Sequence, residues 1–294
     1  MKEKYDNSVG EEVRYNLISN LKATFLYKLG ATIINSTDNI IISMMLGTIV
    51  VGYYNNYYMV VSLVNAIISI LINAVIASIG NFNATKDSTQ KFMLFRMLLF
   101  AFFVLASFSS ACYFAIFNDF IRIWIGDTFL LGDGFILALV VNQAVVCISN
   151  PLWMTREASG MFKSVRYVMI SAAIINVFVS IVLAETCGLA GIIFATAIAR
   201  LLTLFWYEPK MLCENVFDVP LSKYWKNECF LFLAYLPACG VGWLLHSLNT
   251  TNIIMMILKV ALCGLVTIVS FVLVFYKRYE IKQCKTILKK IKHF

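Results

Sequence analysis

Polar side chains follow one face of a long apolar stretch near the start of the chain. The stretch LKATFLYKLGATIINSTDNIIISMMLG covers residues 21–47. At 100° per residue, half of the helical circumference carries an amine, a carboxylate, amides and hydroxyls. These residues are Lys28, Thr32, Asn35, Ser36, Asp38, Asn39 and Ser43. In a hydrocarbon setting the Asp38 carboxylate must be paired or must titrate, so we expect it to bind a proton or a sodium ion.

The next apolar stretch, residues 51–80, carries a second and narrower polar stripe. Its members are Asn55, Tyr58, Ser62, Asn65, Ser69 and Asn73. Polar side chains are costly in hydrocarbon, so stripes on adjoining helices should face each other, the bundle interior or a water-filled cavity. The sequence therefore predicts that the function of the protein lies along this helical hairpin.

Composition indicates that lipid surrounds most of the chain. Of its 294 residues, 61% are hydrophobic and 14% are charged, and the mean hydropathy is +0.81. A single soluble core cannot bury so much apolar surface. Eight segments reach the length of about 20 residues that a membrane crossing needs. We place them at residues 22–46, 51–80, 92–117, 134–155, 165–184, 188–206, 229–246 and 253–276.

The lysines and arginines predict how these segments are oriented. The loops on one side carry nearly all of them, whereas the other side carries Arg122, with Lys259 a little inside the last helix. This asymmetry predicts an all-α integral membrane protein of about eight transmembrane helices with both termini in the cytoplasm. It also accounts for the net charge of +8, so nucleic-acid binding is not needed to explain it. The polar first sixteen residues do not have the pattern of a signal peptide.

The cysteines and histidines do not predict a metal site, a cofactor or an enzyme. None of the eight cysteines forms a Cys-x-x-Cys pair, and they are expected to fill apolar space. The two histidines, His246 and His293, fall on opposite sides of the membrane, which leaves no His-based catalytic cluster. A membrane-embedded glycosyltransferase or polymerase would also need a large outer loop with acidic, basic or arginine residues, and the predicted outer loops are short.

Several further expectations concern how the helices pack. The Phe-rich third segment is predicted to face lipid, and the loop with Asp119 is predicted to be solvated. Lys259 and Arg200 are predicted to reach the membrane surface with long side chains. A proline-containing cytoplasmic linker begins at residue 207, so we divide the chain into a six-helix region, 1–206, and a region 207–294. The second region holds the linker, two more helices and a basic tail that either lies on anionic lipid or acts as a stop-transfer signal.

An ordered series of motifs resembles a family of transporters. The series is STDNIIISMMLG, VGYYNNY, DFIRIWIGDTFLL, REASGMFKSVRYV and NVFVSIVLAETCGLAGIIFATAIARLL, followed by the proline-containing linker. It resembles the carboxy-terminal half of the flippases that export O-antigen, capsule or exopolysaccharide repeat units, within the multidrug, oligosaccharidyl-lipid and polysaccharide exporter superfamily. The resemblance implies one six-helix lobe of the exporter fold plus two carboxy-terminal helices. Because the chain resembles only this second lobe and the extra pair of helices, we expect it to lack the first lobe and the cations that this lobe contributes to the cavity.

The same resemblance implies a substrate, a location and partners. The substrate is an undecaprenyl pyrophosphate bearing a short oligosaccharide, flipped across the bacterial cytoplasmic (inner) membrane by a multi-pass protein. Cations suit the pyrophosphate, and amides and hydroxyls suit the sugar. The implied substrate-binding residues are Lys28, Asn35, Asn39, Asn55, Tyr58, Asn65 and Asn73, with Asp38 for ion coupling. The implied partners are this lipid, membrane lipids and either a separately encoded amino-terminal lobe or a second copy.

Other interpretations remain open at this point. Lys28 could instead extend to the membrane surface, and Tyr58 could belong to an interfacial aromatic belt. A drug or cation antiporter of the same superfamily would share the fold, although it would favour a more aromatic and acidic cavity. The chain could also be an inactive fragment.

Overall fold

A computed structural model describes residues 7–292 of the chain. Within this range the backbone forms nine α-helices, a short 3-10 turn, Asp127–Phe129, and a π-helical turn, Cys213–Phe217, without any β-strand. The helices are α1 (Asn7–Met45), α2 (Thr48–Thr85), α3 (Ser88–Ile125), α4 (Asp133–Ala158), α5 (Phe162–Leu202), α6 (Leu204–Leu212), α7 (Leu221–His246), α8 (Ile253–Phe275) and α9 (Tyr279–Lys292). The all-α prediction is confirmed for this part of the chain.

Six helical segments among the described residues are long and apolar enough to cross a membrane. They correspond to α2, α3, α4, the run from α5 through the π-helical turn, α7 and α8. At 39 residues, α1 is also longer than a bilayer requires. Its charged first half and its polar stripe make its mean hydropathy lower than that of the six segments. The chain is therefore compatible with a multi-pass membrane protein.

Helix α5 is a hairpin of two arms, residues 162–187 and 189–202. Gly188 between them has φ 58° and ψ −136°, a conformation that a residue with a Cβ atom rarely adopts. A continuous helix would separate Asn176 from Thr196 by about 30 Å. Instead, the Asn176 amide donates a hydrogen bond of 3.0 Å to the Thr196 hydroxyl. The chain thus reverses at Gly188, within the segment ETCGLAG where the sequence predicted a turn.

The helices run alternately up and down, which gives the bundle two ends. The turns at Gly47 and Gly188 and the α7–α8 loop lie at one end, which we name the Gly47 end. The other, the Arg156 end, contains the α2–α3 and α4–α5 turns and residues 203–220. Helices α1, α2, α4 and α5 form the cavity half of the bundle, and α3, α7 and α8 form the packed half.

Helix α3 lies in the centre and does not face lipid as predicted. It packs against α4, α7 and α8, and its buried residues extend from Phe92 to Ile121. Phe95 and Phe103 are among the fully buried side chains. The prediction was wrong because lipid tails are as apolar as a helix interface, so a Phe-rich composition does not distinguish the two environments.

Asp119 of α3 and Lys259 of α8 form a buried ion pair. Their Oδ2 and Nζ atoms are 2.7 Å apart, and both side chains are 4% exposed. Lys259 also donates hydrogen bonds to the carbonyl oxygens of Ala115 and Leu248. The predictions of a solvated Asp119 and a surface-reaching Lys259 were both wrong, because α3 continues to Ile125 and so holds Asp119 inside the bundle.

The segment that the sequence treats as the start of a linker is packed helix. Helix α6 and the π-helical turn follow α5 directly, and Leu212 and Phe217 are buried with the aromatic rings of α3. The Phe217 ring lies 4.8 Å from the Phe95 ring, centroid to centroid. Pro209 lies inside α6, where it has no N–H for the i→i−4 backbone hydrogen bond of the helix. The division of the chain at residue 207 into two domains stays a prediction.

Candidate functional site

Helix α2 presents an apolar stripe and a polar stripe side by side. Its buried residues recur at helical spacing: Tyr54, Tyr57, Val61, Ile68, Ile72 and Ile79. The polar residues Tyr58, Asn65, Ser69 and Asn73 follow the neighbouring rows of the same helix and border cavities. The apolar stripe therefore fixes the rotation of α2, and this rotation turns the polar stripe toward the cavity half.

The first cavity, named the Asp38 cavity, lies between α1, α2, α4 and the second arm of α5. Its volume is about 150 Å³. Its polar lining consists of Asn35, Asp38, Tyr54, Tyr58, Asn65, Asn142, Gln143, Thr196 and Arg200. The Gln143 amide donates a hydrogen bond of 2.7 Å to the Asn65 side-chain oxygen. Because Tyr58 remains 44% exposed, the cavity opens to the surface of the bundle.

The second cavity, named the Arg156 cavity, lies toward the Arg156 end and has a volume of about 480 Å³. Its charged lining residues are Lys28, Arg156, Arg200, Glu157 and Glu208. The two cavities share Asn35, Val146 and Arg200. Between them, the Arg200 guanidinium donates a hydrogen bond of 3.3 Å to the Asn35 oxygen. This bond therefore joins two residues that border both cavities.

Arg156 is the most completely buried charged residue bordering the cavities. Its side chain is 0% exposed, and its Nε atom lies 2.8 Å from a carboxylate oxygen of Glu208. Its Nη2 atom donates a hydrogen bond of 2.7 Å to the Tyr27 hydroxyl. Its Nη1 atom has no hydrogen-bond partner among the described residues. The guanidinium therefore joins α1, α4 and α6 and keeps one unused donor.

Asp38 belongs to a chain of hydrogen bonds between α1 and both arms of α5. The Thr37 hydroxyl donates to the Asn176 side-chain oxygen at 3.2 Å, and the Asn176 amide donates to Thr196 at 3.0 Å. The Thr196 hydroxyl lies 3.5 Å from the Asp38 carboxylate, a long contact. Thr196 thus links the Asp38 carboxylate to Asn176 and Thr37, and this carboxylate has no cation within 4.0 Å in the described part of the chain.

Most of the predicted site residues border one of the two cavities. Asp38, Tyr58 and Asn65 line the Asp38 cavity. Lys28 and Asn73 line the Arg156 cavity, and Asn35 lines both. The structure thus brings residues of the two predicted stripes to adjacent cavities.

Asn39 and Asn55 are not brought to either cavity. Asn39 borders a separate shallow groove with Ile40 and Met44. Asn55 is exposed, one turn nearer the Gly47 end than Tyr58. The predicted stripe on α1 covered half of the helix circumference, which is wider than the arc that faces the cavities. Asn55 lies between Tyr54 and Tyr58, which both line the Asp38 cavity, but its side chain points about 60–100° away from theirs around the helix.

The sequence analysis missed several residues that the structure places at the cavities. Arg156 was assigned to topology, Arg200 to the membrane surface and Glu208 to the linker. Gln143 and Thr196 had no assigned role. A signal was available for Arg156, since Asn142, Ser149, Trp153 and Arg156 share one face of α4. Glu208 gave no such signal, because its role depends on how α6 folds back.

Comparison with other proteins does not assign the chain to a family. Across the part of the chain that the structure describes, no group of three or more His, Cys, Asp or Glu residues is placed to hold a metal ion. No protein-family model, curated protein or solved structure matches the chain. The functional argument therefore depends on the two cavities and the residues around them.

Proposed function

We propose that the protein flips a lipid-linked oligosaccharide, an undecaprenyl pyrophosphate bearing a short saccharide, across the bacterial cytoplasmic membrane during cell-surface polysaccharide synthesis. The observation that carries this proposal is the pair of adjacent cavities, one lined by three cations and two carboxylates and the other mainly by amides and hydroxyls. Pyrophosphate is bound best by cations, and sugar hydroxyls by neutral donors and acceptors. The proposed activity is transport rather than catalysis.

The Arg156 cavity is proposed to take the pyrophosphate. Arg156 is already paired with Glu208, whereas Lys28 and Arg200 have no carboxylate within 4.0 Å among the described residues. These two side chains are therefore free to pair with an anion. Together with the unused Nη1 donor of Arg156, they can give a pyrophosphate several charge-assisted hydrogen bonds, which are stronger than hydrogen bonds between neutral groups.

The Asp38 cavity is proposed to contact the saccharide and to bind the coupling ion. Asn65, Gln143 and Tyr58 supply hydrogen-bonding groups along one wall. Asp38 supplies a carboxylate with the Thr196 hydroxyl beside it, and oxygen groups of this kind suit a proton or a hard cation such as sodium. Loading this carboxylate would remove its attraction for Arg200 and leave the guanidinium free for the substrate.

The proposed membrane arrangement has eight crossings. Helix α1 and the two arms of α5 would cross together with α2, α3, α4, α7 and α8. The Arg156 end, where most lysines and arginines of the turns are found, would face the cytoplasm. The pyrophosphate cavity would then open on the side where the lipid-linked substrate is made.

A partner is proposed for the exposed polar face of α1. Lys28, Thr32, Ser36 and Asn39 are exposed along this face. In a membrane, such groups are stabilised by contact with other helices or with water, because hydrocarbon leaves them without hydrogen bonds. We propose a separately encoded six-helix lobe as the covering partner. Copurification with such a lobe in mild detergent would support this partner. A stable homodimer through the same face would contradict it and identify a second copy of the chain as the covering partner.

Translocation in proteoliposomes tests the transport proposal. Arg200→Gln and Lys28→Gln should each slow the flipping of a lipid-linked oligosaccharide by about tenfold or more, since a hydrogen bond to a charged group contributes about 1.5–3 kcal/mol. Lys22→Gln is the matched control, because Lys22 is exposed on α1 outside both cavities. Asp38→Asn should abolish the dependence of flipping on the proton or sodium gradient.

Two results would contradict the proposal. One is flipping that is equally fast in all four variants. The other is full activity of Asp38→Asn with an unchanged ion dependence. The assay needs the covering partner if the protein alone is inactive, so both preparations should be measured.

An antiporter of drugs or organic cations is the second candidate. The observation that favours it is the lining of the Asp38 cavity by a carboxylate and the rings of Tyr54 and Tyr58, a combination that attracts organic cations. Uptake of a cationic dye in the same proteoliposomes, lost in Asp38→Asn and unaffected in Arg200→Gln, would support this candidate against the flippase.

A further inference from the structure

Four carboxylates are buried among the described residues, and one of them, Glu228, has no cation nearby. Three have a cation within 4.0 Å: Glu208 pairs with Arg156 at 2.8 Å, Asp119 with Lys259 at 2.7 Å and Glu280 with Arg96 at 2.6 Å. Glu228 of α7 is 1% exposed, and the ion pairs of the described residues do not include it. A buried carboxylate without a cation requires a separate explanation.

Glu228 shares one face of α7 with two other buried polar residues. Tyr224, Asn227 and Glu228 have the spacing i, i+3 and i+4, which places their side chains together on a helix. The Tyr224 hydroxyl is near enough to interact with the Glu228 carboxyl group. However, neither that hydroxyl, the Asn227 amide nor the Glu228 carboxyl oxygens has a hydrogen-bond partner within 3.5 Å in the described part of the chain.

The surroundings of this face are aromatic and carry no balancing positive charge. The Phe95 ring of α3 stacks against Tyr224 with centroids 6.2 Å apart. From α6 and the π-helical turn, Glu208 and Cys213 are the titratable groups that approach Tyr224. The neighbouring helices α3 and α8 bring no cation to Glu228: none of their described lysine, arginine or histidine side chains lies within 4.0 Å of its carboxylate.

An ionised carboxylate in such surroundings would be costly, because burial removes its water and supplies neither a cation nor hydrogen bonds. A protonated carboxyl group carries no net charge, and it gains a donor that can reach Tyr224 or Asn227. Adding a proton also requires no cavity, whereas a metal ion would need space for several oxygen ligands at about 2.3–2.6 Å. The observations therefore favour a proton over a metal ion.

We propose that Glu228, with Tyr224 and Asn227, forms a proton-binding site on α7. Glu228 holds a proton while α7 is packed against α3 and releases it when this face of α7 is opened to water. The carboxyl O–H bond breaks on release, the electron pair stays on the carboxylate oxygen, and water accepts the proton. This site lies in the packed half, apart from Asp38 and both cavities, and the proposal does not depend on which substrate the protein transports.

Infrared spectroscopy of the purified protein in lipid nanodiscs tests the proposal. At neutral pH, the wild type should show the carbonyl stretching band of a protonated carboxylic acid, with the small downshift that deuterium oxide produces. Because Asp38 can also hold a proton, the comparison is made in an Asp38→Asn background, where adding Glu228→Gln should remove this band. The control is Glu185→Gln, which removes an exposed carboxylate near the Gly188 turn and should leave the band unchanged.

Thermal unfolding in the same nanodiscs gives a second readout. The folded wild type retains a proton that the unfolded chain releases, so its Tm should fall as the pH rises from mildly acidic to alkaline. Glu228→Gln, which resembles the protonated residue in shape and charge, should fold and should lose this part of the pH dependence. A carbonyl band that Glu228→Gln leaves unchanged in the Asp38→Asn background, or a pH dependence of Tm identical with and without Glu228→Gln, would overturn the proposal. A sodium-dependent Tm in the wild type that Glu228→Gln abolishes would overturn it too.

Discussion

Lys259 and Arg156 are both buried cations paired with a carboxylate, one in the packed half of the bundle and one beside a cavity. Lys259 uses all three of its donors, on Asp119 and on the carbonyl oxygens of Ala115 and Leu248. Arg156 holds Glu208 and Tyr27 but keeps its Nη1 atom without a partner in the described part of the chain. All the donors of Lys259 are therefore used within the protein, whereas Arg156 still has a donor that could bind a ligand.

This difference extends to the two halves as a whole. In the packed half, aromatic rings of α3, α7 and α8 meet one another, as Phe100 meets Phe271 and Phe103 meets Phe232. In the cavity half, polar side chains border open space. A buried charge therefore indicates a binding role more strongly where it borders a cavity and has unused donors than where its hydrogen bonds are complete.

The largest expected effect comes from removing the cation of each pair. Lys259→Met leaves Asp119 with the partly exposed Arg122 as its remaining charged partner, and should lower the free energy of unfolding by about 3–5 kcal/mol. Arg156→Met should cost less, because water in the adjacent cavity can hydrate Glu208. Reversible unfolding in mixed micelles measures both changes. An equal decrease in the free energy of unfolding for both variants would show that water reaches Glu208 no more easily than Asp119.

A smaller effect is expected from adding one methyl group at a glycine of each half. A Cβ atom on Gly242 would lie 2.5 Å from the carbonyl oxygen of Ala111, so Gly242→Ala must separate α3 from α7 and should cost about 1–3 kcal/mol. On α2, a Cβ atom on Gly80 would meet nothing closer than 3.8 Å. Gly80→Ala should thus be neutral, or stabilising by up to about 1 kcal/mol through helix propensity.

Thermal unfolding of the two alanine variants checks this prediction. If Gly80→Ala destabilises the protein as much as Gly242→Ala, then α2 is packed as closely as α7. The distinction between the two halves would then be wrong.

The smallest effect is expected from removing one partner of a hydrogen bond in each half. Ser110→Ala leaves the Tyr235 hydroxyl, which donates to Ser110 at 3.0 Å, without its acceptor in the packed half. This should cost about 1–2 kcal/mol, since a buried donor left unpaired keeps its full desolvation penalty. Asn65→Ala should cost about 0.5–1 kcal/mol, because cavity water can accept from Gln143 instead. A larger loss for Asn65→Ala would indicate that the Asp38 cavity excludes water.

Sequence periodicity predicted the elements of this fold more successfully than their contacts. The turn at Gly188 was predicted correctly, because glycine and small residues interrupt two apolar runs. The lipid-facing assignment of α3 failed, because composition does not distinguish lipid from a helix interface. The surface assignments of Arg200 and Lys259 failed because a cation near a helix end can also turn into the bundle, and both directions fit the sequence. Lys259 meets the buried carboxylate of Asp119, whereas Arg200 borders both cavities and donates to Asn35.

The sequence by itself determined that the described chain is helical, that apolar segments of membrane-spanning length dominate it, and that polar stripes follow α1 and α2. Each of these features is encoded within a few helical turns. The tertiary structure alone decided that Arg156 meets Glu208 and Tyr27, that Asp38 is linked to Asn176 through Thr196, and that Glu228 has no cation beside it. These relations join residues as many as 158 positions apart. They depend on how helices rotate and fold back on one another, which local periodicity does not specify.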